Sequence, residues 1–358
     1  MRPTNVRARI IAVSMAMAFI LYLDRICLAE IVKAASFQAD VALTKQQIGR
    51  ILGVFFFSYA LFQVPAGWAS DRFGARPMLT AYIVLWSLFT ALTGMVSSFP
   101  LLVAMRLLCG AAEAGAYPTT GALIRRWTPL AGRARASSYV TLGGRIGGTL
   151  APFITAWMVV SIGHWRPVLW IDGAVGLVIA WFYWRVVRNS PAEHPDCNAA
   201  EQALIGHPPT EKKLSTRELG GVLAAFCRSR SLWLNALMQF LINIGWAFLI
   251  TWLPTYLKEQ RHVEDVAGGR MVTLVLACGM VGQLAGGVIA DWSARRFGLK
   301  WGRRLPLAVS GTLAGSAYIG CLFVDSTMGI IGCCALVSFA VDMANPANWA
   351  FLQDIGGR

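Results

Sequence analysis

Four ionisable residues stand inside stretches of sequence that are otherwise oily. Asp24 and Arg25 are neighbours in IIAVSMAMAFILYLDRICLAEIV (Ile10–Val32), and Arg106 and Glu113 lie seven residues apart in RLLCGAAEAGAYP (Arg106–Pro118). A charge at the centre of a bilayer costs roughly 2.5–3.5 kcal/mol on insertion scales. Two acids and two bases can do carboxylate chemistry together. A low-dielectric cavity favours the protonated acid, and a guanidinium beside it favours the ionised form. If the cavity opens and closes, or an anion competes for the arginine, such an acid loads and releases a proton. Arginine suits the anion side because it stays charged and holds a carboxylate through two parallel hydrogen bonds.

The spacing supports one shared site. Seven residues at about 100° each make nearly two helical turns, so Arg106 and Glu113 share a face. Asp24 and Arg25 point about 100° apart, and both can reach a wide central cavity. The simplest arrangement pairs Asp24 and Glu113 with Arg25 and Arg106, leaving the formal charge near zero. Purely structural ion pairs are the alternative. Buried pairs add little net stability and are often replaceable by apolar residues, so four such residues in two helices point to function.

Other polar residues fall in apolar stretches. Arg145, in GGRIGGTLAP, could bind a second anionic group or pair with an acid, while Gly143, Gly144, Gly147 and Gly148 around it read as close-packing positions. Gln239 and Asn243 are four apart, and Asn345 and Asn348 three apart; these amides could bind the hydroxyls of a polyol or join helices to one another. Asp342 has no obvious partner. Pro254 and Pro346 are expected to kink their helices, and Arg50 to snorkel at a helix end.

The elements that carry these residues are membrane helices. The 358 residues are 56% hydrophobic and only 14% charged, against about 25% charged in soluble domains. Apolar stretches near 10–32, 47–69, 78–97, 99–121, 136–160, 165–187, 231–256, 271–292, 304–324 and 327–350 give ten expected spans. The net charge of +14 is a topology signal rather than a sign of nucleic-acid binding. Of the 32 Lys and Arg, 22 fall in segments on the N-terminal side of these spans and 6 on the other, which predicts that both termini are cytoplasmic. The first stretch is too long for a signal-peptide core and reads as a retained helix. The eight cysteines form no CxxC or Cys/His cluster, so no disulfide framework, metal site or cofactor is expected. No nucleophile–base pair marks an enzyme, and no G-x-x-x-x-G-K-S/T loop binds ATP, which leaves an ion gradient as the energy source.

The hydrophilic stretch 188–230 divides the chain into an N-terminal six-helix bundle (1–187) and a C-terminal bundle (231–358), with a short surface helix expected near 198–205. The halves echo one another. GWASDRFGARP (Gly67–Pro77) closes the second span and GVIADWSARRFG (Gly287–Gly298) the eighth, with Asp71 and Asp291 in equivalent places. Such a repeat suggests two bundles related by an axis along the membrane normal. Asp71 with Arg72 and Arg76, and Asp291 with Arg295 and Arg296, read as cytoplasmic gating pairs. The second half has four spans, and the chain ends at the hydrophilic QDIGGR, so two further spans are expected beyond it.

These motifs resemble the major facilitator superfamily, whose loop signature is close to G-x-x-x-D-R-x-G-R-R; Gly67, Asp71, Arg72, Gly74 and Arg76 fit it, and Ala75 departs from it. The finer resemblance is to the anion:cation symporter family, which includes bacterial sugar-acid transporters. It rests on YLDR (Tyr22–Arg25), FFFSYALFQVPAGWASDRFG (Phe55–Gly74), RLLCGAAEAGAYP and FLITWLPTYLKEQR (Phe248–Arg261). The resemblance implies an all-α membrane protein with the major facilitator fold, ten helices being present of twelve. It implies a monomer in a bacterial inner membrane that moves a small organic anion, a sugar acid such as a hexonate, hexuronate or aldarate, together with protons. Aromatic monocarboxylates, or an anion sensor that does not transport, are the alternatives. By the same resemblance Asp24 and Glu113 carry protons, Arg25 contacts the substrate carboxylate, Arg106 balances the acids, and Tyr22 and Tyr59 line the substrate site.

Overall fold

The structure is a computed structural model and describes residues 2–206, 220–221, 224–225 and 227–355. Among the described residues, all regular secondary structure is helical. Two compact units emerge: Met1–Leu130 with Tyr139–Thr210, and Ala131–Ser138 with Glu211–Arg358.

The first unit holds α1 (Val6–Ile31), short α2 (Ala35–Asp40), α3 (Lys45–Phe73), α4 (Ala75–Thr93), α5 (Phe99–Glu113), α6 (Ala116–Trp127), most of α7 (Arg133–Ile162), α8 (Arg166–Val186) and α9 (Ala199–Ile205). Local signals set many of the ends. Thr44 and Gln47 form a reciprocal capping box at the start of α3, Thr44 Oγ1 accepting from the Gln47 backbone N–H at 3.2 Å and Gln47 Oε1 from the Thr44 N–H at 2.9 Å. Gly74, at φ 96°, turns the chain from α3 into α4. The expected fourth span is two helices, α5 and α6, parted just after Glu113. Pro118 has no N–H to offer the Ala114 carbonyl one turn back, which accounts for a break there.

The loop between α2 and α8 is tied by charge. Asp40 Oδ2 accepts from Trp165 Nε1 and Arg166 Nε, both at 3.1 Å, and Arg166 also reaches the Gly94 carbonyl at 3.0 Å and Ser97 Oγ at 2.7 Å. These bonds to the ionised form hold the Asp40 carboxyl below its usual range, Trp165 and Arg166 being the main causes. At the other end, the short helix expected near 198–205 is α9. Its Glu201 is fully buried and accepts from the Val6 and Arg7 backbone N–H groups, both at 3.1 Å, so it caps α1.

The second unit holds residues 131–138, α10 (Arg230–Ala247), a π-turn at Phe248–Trp252, α11 (Leu253–Glu259), α12 (Asp265–Gly320) and α13 (Thr327–Ile355). The π-turn precedes Pro254, which cannot bond back into the helix, as the sequence anticipates. Pro346, in contrast, lies inside α13 without breaking it. The 56 residues of α12 would run about 84 Å if straight, far beyond a hydrocarbon core of about 30 Å. Gly298, at φ 73°, interrupts it, so α12 is the eighth and ninth expected spans joined by a tight corner.

Among the described residues, eight segments are long and apolar enough to cross a membrane. One of them is doubled at Gly298, and the broken helix Arg230–Glu259 adds the remaining expected span. Outward apolar side chains such as Phe57, Phe153 and Val160 are well exposed, as expected of surfaces that meet lipid. The expected linker 188–230 lies partly outside the described residues.

Candidate functional site

In the first unit the buried charges form a layer between two apolar clusters. One cluster contains Ile10, Met17 and Leu21 of α1 with Trp86 and Trp127; the other contains Cys27, Leu28 and Ile31 with Leu102 and Leu169. Asp24 and Arg25 fall between them along α1. The backbone of α7 approaches that of α1 closely along the stretch that precedes this layer. A Cβ at Gly143 would sit 2.2 Å from the Met15 carbonyl oxygen, and one at Gly147 2.2 Å from that of Phe19. No other residue permits this backbone contact, so these glycines are packing positions.

Arg25 is clasped by Glu113. Its Nη2 and Nε donate to the same oxygen, Oε2, at 2.8 and 3.1 Å. The guanidinium also lies over three rings: Tyr59 at 4.6 Å, Tyr22 at 4.9 Å and Phe55 at 5.2 Å. Tyr117 meets Tyr22 edge-on and extends this aromatic wall. Arg106 is 5% exposed and sits 4.7 Å from the Phe55 ring, donating to the Arg25 backbone carbonyl at 3.3 Å.

The expected pairing is therefore half correct. Arg25 and Glu113 form an ion pair, but Asp24 and Arg106 do not. Asp24 is 1% exposed, and neither of its carboxylate oxygens has a hydrogen-bond partner; Arg106 Nε is likewise buried without one. Asp24 points about 100° away from Arg25 around α1; Asp172, Glu113 and Arg106 are its charged neighbours, and its carboxylate bonds none of them.

The remaining sequence-predicted residues sit elsewhere. Asp71 and Arg72 are exposed at the end of α3, with Arg72 stacked 5.5 Å from Trp68. Arg76 donates to the Trp184 carbonyl at 2.8 and 3.1 Å and lies 3.8 Å over the Trp184 ring, so it fastens α4 to the end of α8. Arg145 is half-buried on α7. In the second unit Asp291 is fully buried and accepts from the Ala134 and Arg135 backbone N–H groups at 3.1 and 3.0 Å, capping the start of α7. Arg135 and Arg303 complete its ion pairs at 3.4 and 3.5 Å, and Arg303 also pairs with Asp354 at 3.1 Å. Arg295 bonds the Asp291 backbone carbonyl, at 3.3 Å, and among the described residues the carboxylate partners are Arg135 and Arg303 instead. Asp342 does have a partner, Asn345, whose Nδ2 donates to it at 3.2 Å. Asn243 is exposed on α10 and turns back to the Gln239 carbonyl at 2.7 Å. Asn348 is buried, its amide oxygen unpartnered.

The profile of the Major Facilitator Superfamily matches residues 14–358. The chain belongs to this superfamily. It is 30% identical over 357 residues to a probable sulfoacetate transporter of Cupriavidus necator, covering 98% of this chain and 81% of that protein. It is also 30% identical over 367 residues to a probable galactarate/D-glucarate transporter of Escherichia coli strain K12, covering 98% and 80%. The fold is similar to the crystal structure of a human organic anion transporter, with a TM-score of 0.67 at 16% identity, over 97% of this chain and 86% of that one. This major facilitator protein is a membrane transporter and not an enzyme.

Sequence reasoning missed three participants in the charge layer of this transporter. Phe55, whose ring faces two guanidiniums, reads in the sequence as one more apolar residue of FFFSYA. Trp86 reads as core. Asp172, 5% exposed on α8, carries the same signal as Asp24, an acid inside an apolar stretch, and could have been found by the same rule.

Proposed function

We propose that the chain is a proton-coupled importer of an organic anion, a sugar acid being the first choice, working by alternating access of the bundles 1–187 and 231–358 in a bacterial cytoplasmic membrane, as a monomer with both termini cytoplasmic. The observation that carries this reading is the Arg25–Glu113 clasp under an aromatic roof, beside Arg106 without an acid partner. A substrate carboxylate competes with Glu113 for Arg25 and gains a second donor in Arg106. Glu113, released, takes a proton, so anion and proton load together. Tyr22 and Tyr59 hold the guanidinium flat for a two-point grip. The relatives named as galactarate/D-glucarate and sulfoacetate transporters support a small oxyanion as cargo.

The polar amides Gln239, Asn243 and Asn345 fit the hydroxyls of a sugar acid, and Asp71 with Arg72 and Arg76, and Asp291, its carboxylate held by Arg135 and Arg303 and its backbone carbonyl by Arg295, fit conformational latches on the cytoplasmic side. Uptake of an anion against an inside-negative potential needs a cation, since each charge moved is worth about 2.3 kcal/mol per 100 mV. The test is uptake into proteoliposomes under an imposed pH gradient, with a panel of aldarates, hexonates, hexuronates, a two-carbon sulfonate and aromatic monocarboxylates. Accumulation of a sugar acid that collapses with a protonophore supports the reading. Binding without accumulation would make the protein a sensor, and accumulation of aromatic acids alone would replace the cargo.

A further inference from the structure

Where α4 starts and α8 ends, positive charge gathers without an acid to balance it. Asn189, just past α8, lies against Gly74, and its Oδ1 accepts from the Arg76 backbone N–H at 2.9 Å, which ties the two ends together. The Trp184 carbonyl belongs to the last turn of α8, where carbonyls lack helical partners. Two guanidiniums converge on that one oxygen: Arg76 through Nη2 and Nε at 2.8 and 3.1 Å, and Arg188 through Nη1 at 3.2 Å. The partial charge at a helix end does not balance two full charges. Arg188 Nη1 also reaches the Arg185 and Val187 carbonyls at 3.0 and 2.9 Å. The exposed Arg185 guanidinium makes no hydrogen bond among the described residues and lies 5.6 Å over the Trp181 ring. None of the three arginines forms an ion pair among the described residues. Glu193, in the turn that follows, accepts from the Ser190 hydroxyl at 3.0 Å instead. Trp181, Phe182 and Trp184 are exposed in the last turns of α8, and exposed Leu177 and Val178 continue this apolar surface along the helix. Indole rings beside arginines at a helix end are typical of the bilayer interface.

We infer that this corner binds the phosphate headgroup of an anionic phospholipid through Arg76, Arg185 and Arg188. Complementarity chooses the occupant twice over. Cations without a counter-charge select an anion, and guanidinium forks match phosphate oxygens. The apolar flank of α8 selects acyl chains, which a free anion lacks. Topology signalling accounts for arginines at this end of the bundle, but not for two of them drawn onto one oxygen. The headgroup offsets the repulsion between Arg76 and Arg188 at the point where α4 is fastened to α8, so the lipid steadies that joint. In the proposed orientation the site lies in the cytoplasmic leaflet, and the inference rests on that reading for the leaflet alone.

The test weighs the lipid on the protein. The purified full chain in detergent is titrated with phosphatidylglycerol, and separately with phosphatidylcholine, and followed by native mass spectrometry and by thermal unfolding. The protein is expected to hold phosphatidylglycerol about tenfold more tightly and to gain Tm from it. Arg188→Gln and Arg185→Gln are each expected to weaken that binding about fivefold, the effect of one arginine near an anionic surface. Arg188→Lys is expected to lose less, since it keeps the charge and gives up only the fork. Arg185→Gln sacrifices no hydrogen bond, so it reports on the site even if Arg188→Gln fails to fold. Arg230→Gln, an equal change of charge at the start of α10, is expected to leave binding as it was. Equal retention of the two lipids overturns the inference, as does undiminished binding by Arg185→Gln and Arg188→Lys together. Equal losses in Arg185→Gln and Arg230→Gln also overturn it, leaving only the net charge of the chain. Displacement of the lipid by an equimolar amount of inorganic phosphate would replace it with a free-anion site. None of these readings involves transport, so their failure leaves the proposed importer standing, and an absence of proton-driven uptake leaves the lipid site standing.

Discussion

Glu113 and Asp24 are both acids buried in the same bundle, yet their surroundings are opposite. Glu113 is satisfied by two guanidinium N–H groups from Arg25, whose charge is spread over three aromatic rings. Asp24 is just as buried, but its carboxylate has no hydrogen bond, and it has an acidic neighbour in Asp172. The difference teaches that burial alone does not assign a role. A clasped acid is a structural element until something displaces it from its arginine, whereas an unclasped one is a standing electrostatic cost that only a proton or another cation relieves.

Substitution separates the two. Glu113→Gln leaves Arg25 buried without its counter-charge, so a loss of about 3–5 kcal/mol is expected, seen as a large fall in the Tm of the purified protein together with loss of proton-driven uptake. Asp24→Asn removes the unsatisfied charge and keeps the size. Its Tm is expected to stay level or rise, while proton-driven uptake is lost all the same. Equal destabilisation by the two variants would erase the contrast drawn here.

Arg25→Lys tests the grip itself. Lysine keeps the charge but loses the planar fork and its stacking, so substrate affinity is expected to fall about 10- to 100-fold, on the scale of a lost charge-assisted hydrogen bond. Isothermal binding to the purified protein measures it, and an unchanged affinity moves the anion to another arginine.

The frame that holds the charge layer gives a smaller effect. Gly147→Ala places a methyl against the Phe19 carbonyl oxygen and must push α7 from α1, for about 1–3 kcal/mol. Gly53→Ala, where nothing lies within 4 Å, is expected to be neutral or slightly stabilising. Thermal unfolding of both, side by side, checks whether close packing sets the layer.

The smallest effect is at the loop. Asp40 is held below its ordinary carboxylate range by Trp165 and Arg166, so its contribution to stability is full above that range and is lost as pH falls through the depressed value. The Tm difference between the protein and Asp40→Asn is expected to be present at neutral pH and to vanish in acid. A constant difference would remove the charge from the explanation.

Much of the fold was legible because bilayer thickness and backbone satisfaction leave few choices. The spans, the repeated Gly-x-x-x-Asp loop and the α9 surface helix follow from composition, periodicity and turn residues. The break between α5 and α6 was not, since Pro118 reads as an ordinary proline inside a long apolar run until the lost bond to Ala114 is considered. The four charged residues of the layer were visible from their cost in an oily run. Their pairing was not, because adjacency along α1 says how far apart Asp24 and Arg25 point but not which neighbour each meets. Asp291 shows the same limit: the motif marks the acid, whereas its partners are Arg135 on α7 and Arg303 beyond the Gly298 corner of α12.

The central claim is that a proton and an anion exchange partners at the Arg25–Glu113 clasp. The most direct measurement is uptake of a radiolabelled sugar acid into proteoliposomes under an imposed pH gradient, run in parallel with counterflow exchange at equal pH, for the protein and for Glu113→Gln. The account predicts gradient-driven accumulation by the protein only, with exchange persisting in the variant. Undiminished gradient-driven accumulation by Glu113→Gln would contradict it.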